Sequence, residues 1–146
     1  MAMTRSASAT WQGDLPTGAG TVSTASDYLA SVPTSWRART EDAAGETSPE
    51  ELLAAAHASC FSMAFSNELS KAGFVPERVE INVDVTADKR ENGWTVLTSQ
   101  ITARAWVPNI DEETFQAMAN KAKDGCPISR ALAGNVELTV TATLES

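Results

Sequence analysis

SPEELLAAAHASCFSMAFSNELSKAGF, residues 48–74, decides the fold. Ser48 is placed to cap a helix, and Pro49 suits the first helical position, where its missing N–H costs nothing. Glu50 and Glu51 follow in the first turn, where the helix dipole favours carboxylates. Lys71 and Gly73 close the segment with a cation near the last carbonyls and a C-cap glycine. Between them Leu52, Leu53, Ala54, Ala55, Ala56, Ala58, Phe61, Met63, Ala64 and Phe65 cannot share one stripe. A helix apolar on nearly every side is expected to be enclosed by protein, in its own core or in an interface. In its middle lies Cys60, and the only other cysteine, Cys126, comes 66 residues later.

Outward from this helix the chain reads as strands and shorter helices. Before it, ATWQG, GTVSTAS and TSWRART are strand-like fragments separated by Pro and Gly turns. After it, Val79, Ile81, Val83 and Val85 alternate with polar residues, as in a strand with one wet face, and Asn92-Gly93 suits a hairpin turn into WTVLTSQITARAWVP. Asp111 opens a second, amphipathic helix with Phe115, Met118, Ala119 and Ala122 at helical spacing and Gly125 at its end. Pro127 then starts a short helix, and Val136, Leu138, Val140 and Ala142 alternate along a closing strand. The order βββ, α, ββ, α, α, β predicts an α+β fold, antiparallel sheet with helices on one face, in one domain over residues 1–146.

Composition excludes several functions. The formal charge of −8 opposes phosphate backbones and anionic lipid surfaces, so no nucleic-acid and no membrane partner is expected. No apolar run is long enough to span a bilayer, and the N-terminal MAMTRSASATWQG carries no apolar block after Arg5, which reads as a cytoplasmic protein. In that compartment two cysteines are inert core thiols or redox-active ones, not a disulfide scaffold.

If Pro127 is the first helical residue, Cys126 is the N-cap, where free N–H groups and the dipole stabilise a thiolate; a plain capping role is the alternative. Cys60, mid-helix among apolar neighbours, has its pKa raised by desolvation and stays inert unless a cation arrives from elsewhere. Arg37 and Arg39 are the candidates for that cation. His57 lies three residues before Cys60 on the same helix face. It reads as a base or ligand, or as a satisfied core residue. A zinc site of His57, Cys60 and Cys126 lacks a fourth ligand and both the CxxC and HExxH spacings, so no metal and no cofactor is expected.

The helix motif, the GCP at Gly125–Pro127 and the cysteine spacing together resemble the OsmC/Ohr family of thiol peroxidases, the OsmC branch more closely. GAGTVST, NIDEETFQAMANKAK and the closing strand lie in the expected order, so the resemblance covers about the whole chain. It implies antiparallel sheets around a central buried helix in an intertwined homodimer. It also implies reduction of organic hydroperoxides, with hydrogen peroxide as a further substrate, by a two-cysteine cycle. Cys60 matches the peroxidatic cysteine, which becomes a sulfenic acid, and Cys126 the resolving one, which condenses with it to a disulfide that an external dithiol reduces. Glu50 matches the carboxylate that orients a catalytic arginine, for which Arg39 is the first choice and Arg37 the second. The competing reading is a non-catalytic stress protein of the same fold that holds an apolar small molecule.

One point follows from helix geometry alone. If residues 50–60 are one continuous helix, Glu50 and Cys60 are about 15 Å apart along the axis. Both can serve one site only if the helix breaks or a second subunit supplies one of them. A homodimer with two interfacial sites is therefore expected, and sedimentation should find no stable, active monomer.

Overall fold

The computed structural model describes all 146 residues, which divide into two compact units, Met1–Leu52 and Leu53–Ser146. In the first unit, β1 (Ala7–Gln12), β2 (Ala19–Thr24) and β3 (Val32–Thr34) form an antiparallel sheet in that order. Trp11 lies over Gly20, where an added Cβ would come within 2.7 Å of the indole, so the close approach requires glycine. TSWRART, expected to be strand, is instead α1 (Trp36–Thr40). Ser35 is the reason: its hydroxyl accepts the Ala38 N–H at 3.0 Å and caps a helix start just where Pro33 and Thr34 end the strand.

The long helix forms as its caps require. In α2 (Pro49–Lys71) the Ser48 hydroxyl accepts the Glu51 N–H, and Thr47 Oγ1 donates to the Glu51 carboxylate at 2.7 Å. At the other end Gly73 takes φ +92°, and the Phe74 N–H reaches back to the Leu69 carbonyl at 2.9 Å. This is the left-handed closure that favours glycine.

In the second unit α2 buries one stripe at four-residue spacing: His57, Phe61, Phe65 and Leu69. The sheet of this unit has order β4 (Arg78–Arg90), β5 (Gly93–Trp106), β6 (Glu137–Glu145). Its central strand β5 turns Ser99, Ile101, Ala103 and Ala105 inward, all buried, and the two alanines leave room for large partners. Phe65 sits between Phe61 and Phe115, with ring centroids 5.6 and 5.5 Å away. Phe115, Ala119 and Ala122 come from α3 (Glu112–Gly125), which Asp111 caps by accepting the Thr114 N–H. A short α4 (Pro127–Leu132) follows directly.

Two further expectations are corrected. β6 pairs with β5 in parallel, not antiparallel, because α3 and α4 carry the chain back before it re-enters the sheet. The β4–β5 turn residues are Glu91 and Asn92, with Gly93 already paired to Arg90 at φ +109°. The expected enclosure of α2 includes burial in an interface, and within the single chain Ala55, Ala56, Ser59 and Met63 are exposed.

Phe65 takes part in both ring pairs, with Phe61 and with Phe115. Phe65→Ala is expected to lower unfolding stability by about 3–5 kcal/mol in a urea titration, whereas Val75→Ala, at an exposed position, should cost well under 1 kcal/mol.

Candidate active site

The second unit brings the two cysteines together. Cys60 lies partly buried in the middle of α2, and Cys126 is completely buried at the junction where α3 ends and α4 begins. The Cys126 thiol donates to the Cys60 sulfur across 3.0 Å. Cys126 is the N-cap residue of α4, as its sequence suggests, yet its own thiol takes no capping hydrogen bond. The free N–H of Ile128 is directed instead at the Cys60 sulfur, so the helix start that looked set to serve Cys126 serves its neighbour. Burial and the contact with Cys126 nonetheless push the Cys60 pKa above the ordinary thiol value, and the Ile128 N–H pulls against them.

The first unit joins the other pair. Arg39, on α1, directs Nε and Nη2 to the same Glu50 oxygen, Oε1, at 2.8 and 2.7 Å. Glu50 Oε2 is buried without a partner. The guanidinium also stacks over Trp36, 5.8 Å from the ring centroid. Arg37 points away into an exposed pair with Glu41, so of the two arginines Arg39 is the one that meets the carboxylate. An apolar cavity of about 310 Å³ opens beside Arg39, lined by Trp11, Leu15, Val22, Trp36 and Leu52. α2 is unbroken from Pro49 to Lys71, so no break of the helix falls between Glu50 and Cys60.

Of Phe61, Met63, Phe115 and Met118, only Met63 lines the cleft of about 470 Å³ beside Cys60, with Glu68, Lys71 and Lys121 on its walls. Phe61 and Phe115 are core, and Met118 packs against it. Ion pairing with Lys121 and Lys71 holds the Glu68 carboxyl below its ordinary range.

His57 is neither base nor metal ligand. It is fully buried, with Nδ1 2.7 Å from Ser99 Oγ and Nε2 2.7 Å from Ser129 Oγ. Both nitrogens are occupied, which removes it from any metal set with the cysteines. Desolvation lowers its pKa and so favours the neutral imidazole. The sequence reading missed Ser99 and Ser129. The available signals were the inward parity of Ser99 with Ile101 and Ala103 on β5, and the position of Ser129 one turn after Cys126.

Residues 41–141 match the family model described as OsmC-like protein. Peroxiredoxin OsmC of Escherichia coli is 41% identical over 138 residues, spanning 94% of this chain and 96% of that one. An organic hydroperoxide resistance protein of Xanthomonas axonopodis pv. citri is 31% identical over 65% of this chain and 66% of its own length. The crystal structure of the organic hydroperoxide resistance protein OhrB of Bacillus subtilis superposes with a TM-score of 0.75 at 25% identity, covering 94% of this chain and 98% of that one.

His57 is the sole histidine, which makes its titration separable. Its folded pKa lies below the unfolded value near 6.5, so the unfolded chain binds the extra proton. Stability is thus full above about pH 6.5 and falls as the pH drops below it. The urea midpoint should decline between pH 7 and pH 5.5, and His57→Gln should flatten that decline.

Proposed function

Because the chain belongs to the OsmC-like family, we propose that it is a cysteine-based peroxidase that reduces organic hydroperoxides. The observation that carries this reading is the pair of sulfurs 3.0 Å apart with the Ile128 N–H on Cys60. In the first step the Cys60 thiolate attacks the terminal peroxide oxygen. The O–O bond breaks, an alcohol leaves with a proton, and Cys60 becomes a sulfenic acid. The Cys126 thiolate then attacks the Cys60 sulfur, the S–S bond forms, and the hydroxyl leaves as water. An external dithiol supplies two electrons and two protons to restore both thiols.

The raised Cys60 pKa has to be offset by a cation, and Arg39 held by Glu50 is our choice. A guanidinium has donors for the thiolate and the peroxide together, and it stabilises charge as the O–O bond breaks. With α2 unbroken, the pair is best supplied by a second copy, so the functional form is a homodimer in which the whole chain, 1–146, acts as one domain of each protomer. The exposed Ala55, Ala56, Ser59 and Met63 face of α2 supports such a partner. The cavity beside Arg39 suits the alkyl or aryl group of the substrate. No helix is long and apolar enough to cross a membrane, and a cycle run on free thiols fits the reducing cytoplasm.

Cys60→Ser should abolish dithiothreitol-dependent consumption of cumene hydroperoxide, and Cys126→Ser should oxidise Cys60 without forming a disulfide. Wild-type protein that consumes no more cumene hydroperoxide than Cys60→Ser would instead establish the non-catalytic binding protein. Arg39→Ala should slow the first step about a hundredfold and shift the pH profile of Cys60 alkylation upward, the sign expected when a thiolate loses its cation.

A further inference from the structure

We infer that His57 is a positioning residue for the resolving step: through Ser129 it fixes α4, and with α4 the place of Cys126 against Cys60. The inference rests on the two-cysteine reading above. α4 is six residues long, too short to hold itself, and Ser129 is its only fully buried side chain. That side chain is polar, and its hydroxyl lies 2.7 Å from Nε2 of His57. His57 belongs to α2, one turn before Cys60, while its Nδ1 is tied to Ser99 on β5. One buried imidazole thus joins the helix of the first thiol, the central strand, and the helix that begins at the second thiol.

The lever on the sulfurs is short. Ser129 follows Cys126 by three residues, and the Arg130 N–H closes that turn on the Cys126 carbonyl at 2.9 Å. Ile128, whose N–H meets the Cys60 sulfur, lies between them. If the Ser129 anchor is lost, the first turn of α4 is free to shift, and both the Cys126 thiol and the Ile128 N–H leave their places on Cys60. The chemistry at risk is a competition at the Cys60 sulfenic acid. Attack by Cys126 forms the disulfide and releases water. Attack by the sulfenate on a second hydroperoxide forms the sulfinic acid and releases an alcohol. Only the first route depends on where Cys126 stands.

The test measures, by mass spectrometry of reduced protein given increasing cumene hydroperoxide, the concentration at which half of Cys60 is sulfinic rather than disulfide-bonded. Ser129→Ala should lower that concentration about tenfold, as expected for a lost buried hydrogen bond. Ser129→Thr, which keeps the hydroxyl, should restore it. Ser99→Ala removes the other partner of His57 without touching α4 and should stay within about twofold of wild type, while losing thermal stability comparable to Ser129→Ala. A merely structural role predicts equal stability losses and no movement of the half-point, so Ser129→Ala matching wild type, or Ser129→Thr matching Ser129→Ala, overturns the inference. Wild-type protein that forms no Cys60–Cys126 disulfide at all overturns the two-cysteine reading and this inference with it.

Discussion

The four-residue spacing of His57, Phe61, Phe65 and Leu69 governs how α2 lies in its unit. A helix of small side chains has no strong preference for one face, since alanine and serine pack almost anywhere. The aromatic pair Phe61 and Phe65, met by Phe115 and by the alanines of β5, removes that freedom. Once the stripe is set, Cys60 falls beside it, half in the core and half out. That position is a compromise between a thiol sealed from substrate and one bathed in water. It makes Cys60 reachable, and it makes its thiolate costly.

The electrostatics follow from that cost. Cys60 receives one backbone N–H, which does not overcome burial and the neighbouring Cys126 thiol. The chain carries an excess of acid, so a cation has to be placed individually, and Arg39 is placed with care: two donors on one carboxylate oxygen and an indole beneath. The contrast with Arg37 is instructive, because two positions along the same short helix separate a clamped guanidinium from a far more exposed one.

Much of this was legible in the residues. Ser48-Pro49-Glu-Glu and Gly73 mark the bounds of α2 because capping is a local event, and Asp111 and Pro127 do the same for α3 and α4. The two thiols were legible through a motif, while their 3.0 Å contact depends on how α4 meets α2 and has no local signature. TSWRART misled because Trp, Thr and alternating Arg suit a strand, and the Ser35 cap outweighed them. The parallel β6 was hidden for a similar reason: alternation reports that a strand has two faces and is silent on its direction. The partners of His57 lie 42 and 72 residues away, beyond any local pattern.

The outer edge of β1 has a consequence for how the chain behaves among copies of itself. Ala7–Gln12 pairs only with β2 and is exposed along its whole length, and none of its residues is charged or proline, the usual guards of an open edge. What keeps copies apart at a distance is the net charge of −8. Dissolved salt weakens that repulsion over a screening length of about 8 Å at physiological ionic strength and leaves strand pairing untouched. For this protein, then, added salt lowers the repulsion between copies while the hydrogen-bonding capacity of the open edge stays as it is.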